Sequence, residues 1–501
     1  MSRPDCVVDR LALGSALLVA GATGPVRTIA QAVVVGDVGD TDAARREIEV
    51  AAAIEPDSRS IAVAHARALA DAGMFDAAIA RIEQVPGAHA AHAEVIALRA
   101  RRRGAHTQSE YRTLVAARRL ALEQRDDPTV RHRLVRELAL HGDYDAAFEA
   151  AAPTMPASAR SSWRDLVDES RGWITDDWLW VAAVRLSEQG EHRAAQRTKQ
   201  RIARRIADRP LPRAAPASRI LDQVRAVSYL SGAEAATDHL DRHRPRLATD
   251  RESAAFDKAR ADLALARGNV LDLVRIRPTL AVVGGAAERR FQAAVTGARV
   301  LVSGPSDLGT FDDDELAGFD VIVSPKRPTS AVATATTIAY RSDVNARFDL
   351  EPDLAATHKS LADIEVVRAS VLSSPGELLR HESVRVMPAE DSNTFMGTRF
   401  GIQRMLYDLV GRGAEITLGG VDFFTGAQPY VPGYEDELHR IYEPNSLQPI
   451  RSRAAHDLGW DFRFTASLLS SGLIEAHPDV RRLLEHSLDD YYDLLERVAA
   501  S

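Results

Sequence analysis

Cysteine is nearly absent from this sequence, and that excludes two kinds of architecture. Cys6 is the only one in 501 residues, so neither an intramolecular disulfide framework nor a cysteine-ligated zinc cluster holds the chain together. The same usage fits a reducing compartment. A basic surplus is also lacking: 63 Lys and Arg stand against 71 Asp and Glu, a formal net charge of −8, with a pI near 6.0. Without excess cations there is little to neutralise a phosphate backbone, which argues against a nucleic-acid partner. No uninterrupted apolar run reaches membrane-spanning length. The nearest approach, residues 11–22, is too short, and Asp5 and Asp9 fall where a secretory signal needs a cationic leader. A first buried helix is therefore expected there, in a cytoplasmic protein, at most peripheral to the inner face of a membrane.

What is present is ordinary in bulk: 45% hydrophobic and 27% charged residues, the balance of a soluble globular protein. The length exceeds what one compact core accommodates, so at least two domains are expected. Residues 1–275 read as helical throughout, rich in Ala, Leu, Arg and Glu with apolar residues three and four apart. A repeat lies inside this region. Leu69-Ala-Asp-Ala-Gly73-Met-Phe-Asp76-Ala-Ala-Ile79 returns as Leu138-Ala-Leu-His-Gly142-Asp-Tyr-Asp145-Ala-Ala-Phe148, the glycines 142 − 73 = 69 residues apart. That is about two periods of a 34-residue helical hairpin. Weaker echoes surround Gly190, Gly232 and Gly268. The pattern resembles tetratricopeptide-type repeats, with irregular spacing and most signature Trp and Pro positions missing. The cluster Trp163, Trp173, Trp178 and Trp180 reads as core between hairpins, and Pro210, Pro212 and Pro216 mark a loop.

After Pro278 the periodicity changes. Short β-branched runs appear at Leu280–Val283, Val300–Val302, Val321–Val323, Thr337–Tyr340, Ile364–Val367, Val384–Val386 and Ile416–Leu418, separated by helical stretches such as Ile402–Val410. Strands alternating with helices predict a mostly parallel, Rossmann-like sheet over residues 276–501. The fold class expected is thus a helical repeat array followed by an α/β domain. In such a sheet ligands sit beyond the carboxyl ends of the strands, where Gly304-Pro305-Ser306 and Asp422-Phe423-Phe424 both fall. The tail from Pro478 to Ala500 reads as an amphipathic helix with an acidic polar face, suited to packing on the core or on another subunit.

The motifs narrow the chemistry. Gly304-Pro-Ser-Asp-Leu-Gly309 is neither a P-loop, lacking a closing Gly-Lys-Ser/Thr, nor the dinucleotide Gly-x-Gly-x-x-Gly. Asp312-Asp313-Asp314 looks like a metal-binding Asp-x-Asp, but three acids opening a short helix also complement its dipole. That second reading is preferred, and no metal is expected. His439 and Glu443 lie one helical turn apart and make His439 a second-choice base. His381-Glu382 lacks the second histidine of a zinc-protease helix.

Taken in order, Gly304-Pro-Ser, the acidic helix, Phe319-Asp-Val-Ile-Val323 and then Gly419-Gly420-Val421-Asp422-Phe423 resemble the sialyltransferases. His456-Asp-Leu-Gly-Trp-Asp461-Phe-Arg463 is similar to the histidine element of the single-domain bacterial enzymes, and the resemblance covers residues 295–475. It implies a CMP-activated sialic or other nonulosonic sugar passed to a hydroxyl of a glycan acceptor by one inverting displacement. Gly304, Pro305 and Ser306 would line the nucleotide site, with Gly401 and Asp422 beside it. Tyr430 would hydrogen-bond the leaving phosphate and His456 would be the general base.

Three departures stand against the family pattern. Phe424 replaces a second phosphate-binding tyrosine, Arg399-Phe400-Gly401 replaces a Thr/Ser-rich lead-in, and Val323-Ser324-Pro325 lacks a following Arg-x-Asn. Arg399, or Lys326 with Arg327, would then supply phosphate charge. The helical array is expected to hold a protein partner, an acceptor polymer or a second copy. An Ala- and Arg-rich composition points to a GC-rich bacterial genome and a cell-surface glycan as product. The rival expectations are a non-catalytic repeat scaffold with a degenerate transferase domain, and a different nucleotide-dependent transferase on the same sheet.

Overall fold

A computed structural model of the chain describes residues 75–83, 106–124, 143–155, 176–212, 217–243, 250–280, 286–325, 335–340, 362–368, 383–387, 401–426, 446–447 and 456–500. Isolated positions at 62, 65, 66, 69, 130, 131, 133–135, 138, 163, 164, 167 and 215 are described as well. Leu11–Ala22, Cys6, Trp173, His381, Arg399, Tyr430, His439, Lys326 and Arg327 lie outside the described residues. Two compact units emerge. One comprises Met1–Arg160, Pro210–Asp222 and Asn445–Pro449; the other comprises Ser161–Arg209, Gln223–Pro444 and Ile450–Ser501.

The first unit contains helices α1 (Phe75–Glu83), α2 (Gln108–Gln124) and α3 (Tyr144–Ala151). A two-residue antiparallel ladder pairs β1 (His106–Thr107) with β8 (Ser446–Leu447). In the internal repeat Leu69 corresponds to Leu138, and Ala78 to Ala147, and all four are buried.

The second unit opens with helices α4 (Asp176–Glu188) and α5 (His192–Ala207), packed as a hairpin around Gly190. Helix α6 (Ala217–His243), which belongs to this unit from Gln223 onward, follows, bent at Gly232, which has φ 87° and ψ 174°. Then come α7 (Asp250–Leu265) and α8 (Leu271–Leu280), again a hairpin, and α9 (Ala286–Val295). Leu280, expected to open a strand, instead closes α8.

Strands β2 (Arg299–Ser303), β3 (Val321–Pro325), β4 (Thr336–Tyr340), β5 (Ile364–Arg368), β6 (Val384–Met387), β7 (Glu415–Gly419) and β9 (Glu475–Ala476) form one parallel sheet in the order β6-β5-β4-β3-β2-β7-β9. Runs such as Val300-Leu-Val302 and Val321-Ile-Val323 are apolar at every position because both faces are covered. Val300, Val302, Val321 and Val323 enter the main core with Phe291, Met405 and Phe462. Leu301 and Ile322 point the other way, onto Leu316 and Phe319.

Between strands lie α10 (Asp313–Leu316) and α11 (Gly401–Leu409), and after β7 comes α12 (Leu458–Ser470). The acidic run opens α10 as the dipole argument predicts. Asp312 accepts from Glu315 N–H at 2.9 Å while the Glu315 carboxylate accepts from Asp312 N–H at 2.9 Å, a complete capping box. The tail forms two helices rather than one, α13 (Pro478–Leu484) and α14 (Leu488–Ala500). Ser487 starts the second by accepting from Asp490 N–H at 3.1 Å, a side-chain cap that restarts the helix on a new axis. Among the described residues no helix is long and apolar enough to cross a membrane.

Candidate functional site

The sheet order has one reversal of direction. From β2 the chain adds strands outward to β6, then returns across the sheet to lay β7 on the other side of β2. The carboxyl ends of β2 and β7 therefore flank the topological switch point, the position where open α/β sheets bind ligands. Both sequence motifs emerge there. Ser303 pairs with Gly419 at the last rung, so the Gly304-Pro305-Ser306 turn and the Gly420-Val421-Asp422 turn leave the sheet side by side.

Their contact is backbone on backbone. Gly304 N–H donates to Gly419 O at 2.8 Å, Ser306 N–H to Gly420 O at 2.9 Å, and Gly420 N–H to Gly309 O at 3.0 Å. A Cβ on Gly304 would stand 2.2 Å from Gly420 O, and one on Gly420, at φ 65°, 2.7 Å from Gly304 O. Only glycine permits this approach at either position. Ser306 is buried and its Oγ accepts from Leu308 N–H at 3.0 Å. The N–H groups of Gly304 and Ser306 thus serve the neighbouring strand rather than an anion.

Past Gly420 the chain turns sharply. Phe423 and Phe424 both take left-handed backbone angles, φ 50° and 63°, a conformation that a bulky residue adopts only under constraint. Three groups supply it. Asp422 accepts from Phe424 N–H at 2.9 Å on one carboxylate oxygen and from Gly426 N–H at 3.1 Å on the other. Tyr491 Oη, from α14, donates to Phe423 O at 2.9 Å. The Phe423 ring meets Phe462 of α12 edge-on at 5.7 Å, and Phe462 in turn stacks on Tyr491 at 4.2 Å. Burial pushes the Asp422 carboxyl above its usual range; the two N–H donors pull the other way, and Asp307 adds to the rise. Phe424 is buried in the same core, so its ring lines the fold.

Gly401 opens α11 beside the carboxyl end of β3, where an added Cβ would sit 3.4 Å from Pro325 Cβ. The first turn of α11 therefore lies at the carboxyl edge of the sheet, and first-turn N–H groups have no partners within their own helix. Further along α11 the apolar face is interrupted by buried Gln403, whose amide donates to Thr465 Oγ1 of α12 at 2.8 Å.

His456 is half-buried immediately before α12. Asp457 caps that helix, accepting from Trp460 N–H at 3.2 Å. The loop-to-helix join rests on α14, where a Cβ on Gly459 would stand 2.1 Å from Tyr492 Oη. Lys199 of α5 reaches the same join: its Nζ donates to His456 O at 3.4 Å and lies 3.9 Å from Asp457 Oδ1.

The fold therefore brings Gly304, Pro305, Ser306 and Asp422 together at the switch point and sets Gly401 at the same edge of the sheet. His456 precedes the helix that packs on the Asp422 turn through Phe462. Tyr430 and Arg399 are not among the described residues. Sequence reasoning missed Tyr491 and Lys199. Tyr491 was read only as part of an apolar helix face, and Lys199 sits in an Arg-rich helix where a solvated role is the natural expectation. Neither carries a local signal.

The class defined here is an open, parallel α/β sheet with glycine-bearing turns at its switch point, compatible with a Rossmann-like domain. No protein-family model matches the chain, and no curated protein matches it either.

Proposed function

We propose that this protein is an inverting, metal-independent glycosyltransferase that moves a sialic-type sugar from a CMP-activated donor to a hydroxyl of a glycan acceptor. The observation carrying this reading is that the two motifs it was built on, 115 residues apart (419 − 304), leave adjacent strands on either side of the switch point. That is where an open α/β sheet holds a nucleotide.

In this reading the nucleoside lies against the Gly304 and Gly420 turns beyond the carboxyl ends of β2 and β7. The leaving phosphate meets the first turn of α11, with Tyr430 and Arg399 as further donors. Negative charge grows on the phosphate oxygens in the transition state, and hydrogen-bond donors aimed there stabilise it. His456 takes the acceptor proton, a contribution of about 10²–10⁴-fold. The helices before the sheet, read as a tetratricopeptide-like array, hold the acceptor or a partner protein at the cytoplasmic face.

One observation favours a second reading, a scaffold with a silent transferase domain: the N–H groups of Gly304 and Ser306 are already engaged by Gly419 and Gly420. Calorimetric titration with cytidine monophosphate, uridine diphosphate and guanosine diphosphate, with and without magnesium, separates the two. Selective, metal-independent cytidine binding, with donor hydrolysis that disappears in His456→Ala, supports the transferase. No binding to any of the three refutes it.

A further inference from the structure

The turn that carries His456 is held from helices outside the transferase motifs. Lys199 projects from the inward face of α5, alongside buried Ala195, Ile202 and Ala203. It is 8% exposed and Asp457 is 1% exposed. Placing an ammonium in such surroundings is unfavourable unless it is matched by charge and hydrogen bonding. Among the described residues its partners are two groups of one turn, the His456 carbonyl at 3.4 Å and the Asp457 carboxylate at 3.9 Å. Tyr229 of α6 closes the same cluster: its hydroxyl donates to Gln196 Oε1 of α5 at 2.7 Å.

We propose that Lys199 is a positioning residue for His456, fixing the carbonyl and the flanking carboxylate so that the imidazole is presented to the acceptor. The helices before the sheet then form one wall of the reaction site as well as an interaction surface. This inference rests on the transferase reading only for what the imidazole does. Among the described residues, the charged and titratable groups around the turn are Lys199 from α5, Tyr229 from α6, Asp457, Asp461 and Arg463 from the capped helix α12, and Tyr491 and Tyr492 from α14. Lys199 is the buried cation in this set; Arg463 is surface-exposed and lies over the Tyr229 ring at 5.9 Å.

Removing the ammonium takes away the buried cation and leaves the Asp457 carboxylate, still accepting from Trp460 N–H, beside His456, which favours the imidazolium. The test follows the His456 imidazole by NMR in the full chain, its signal assigned by loss in His456→Gln, and measures cytidine monophosphate affinity by calorimetry on the same samples. In Lys199→Met the His456 midpoint is expected to rise by about one pH unit, the effect of one nearby unit charge under partial screening. Lys199→Arg should leave it unmoved, and cytidine affinity should stay as in the parent protein. Should Lys199→Met fail to fold, Lys199→Gln, which keeps a donor without the charge, must show the same rise. An unchanged midpoint in a folded, uncharged variant overturns the proposal, and so does an equal rise in Lys199→Arg. If the midpoint moves as expected while no variant or parent binds the nucleotide, the transferase reading falls and the hold on His456 stands.

Discussion

Asp408 is where a single substitution should do most damage. Its carboxylate lies on the buried face of α11 at 3% exposure, between Arg385 of β6 at 2% and Arg412 at 7%. Arg385 Nη2 and Arg412 Nη2 each reach Asp408 Oδ1 at 3.0 Å, Arg385 Nη1 reaches Oδ2, and Tyr340 Oη donates to Oδ2 at 2.7 Å. Both guanidinium groups also bond Glu288 and lie over the Phe291 ring, at 4.0 and 5.0 Å. Burial alone would raise the Asp408 pKa, but the two arginines outweigh it and hold the group well below the usual carboxylate range. Asp408→Ala leaves two buried cations with the partly exposed Glu288 as their shared carboxylate, Arg412 keeping Gln292 Oε1 and the residue-408 carbonyl as neutral acceptors, and breaking a buried pair in this way costs about 3–5 kcal/mol. That is a third or more of a typical domain's stability.

The assay is urea unfolding of the parent, Asp408→Ala and Asp408→Asn. Because the folded-state pKa is depressed, the stabilisation is complete above the unfolded value near ~3.9 and is lost as pH falls through the lower folded value. The parent should therefore lose stability steeply below about pH 4, and Asp408→Asn should show a shallower acid slope. Replacing Asp408, Arg385 and Arg412 together by apolar residues of similar volume should cost much less than Asp408→Ala, since the desolvation of all three is then avoided. A cost under about 1 kcal/mol for Asp408→Ala, the value of an exposed pair, would refute the reasoning.

Other consequences are as direct. Gly420→Ala drives a Cβ to 2.7 Å from the Gly304 carbonyl; it should lower the melting temperature and abolish nucleotide binding, and normal behaviour in both would show that the turns separate freely. Asp312→Ala removes the capping box of α10 and should cost about 1 kcal/mol in chemical unfolding, with Asp312→Asn costing less. His239 is pushed down to about 4, by burial first and by His243 and Arg242 next. Its folded pKa is depressed, so the neutral ring favours the fold above about 6.5 and that contribution fades as pH drops towards 4. His239→Gln should flatten stability over that interval, and an identical pH profile for parent and variant would rule the effect out.

Much of the sheet was legible because its strands are buried on both faces, so Val300–Val302 and Val321–Val323 are apolar without alternation, and Ile364–Val367, apolar but for the buried Glu365, stands out with them between helical stretches. β9 was not: two residues, Glu475-Ala476, have no periodicity, and only the neighbouring β7 makes them a strand. The tail was legible as amphipathic but not as two helices, since its apolar spacing runs on across Glu485–Ser487 while the cap at Ser487 resets the axis. At the candidate site, the turn residues could be read from Gly304-Pro-Ser and Gly-Gly-Val-Asp-Phe. The holders of that site could not. Tyr491 and Lys199 act across 68 and 257 residues of chain, through a hydroxyl and an ammonium that each reach a backbone carbonyl, and a carbonyl leaves no mark in a sequence.

By itself, then, the sequence determined most strands of the large sheet, the glycine-bearing turns that follow β2 and β7, and the helix that opens on acids, because each of those is written in a few consecutive residues. The tertiary structure decided the return of β7 to the side of β2, the joining of α4, α5, α7 and α8 with the sheet in one unit, and the matching of Asp408 to two arginines on different elements. These are choices among long-range pairings. Local propensity contributes almost nothing to them; burial of both sheet faces and the need to partner every buried charge settle them together.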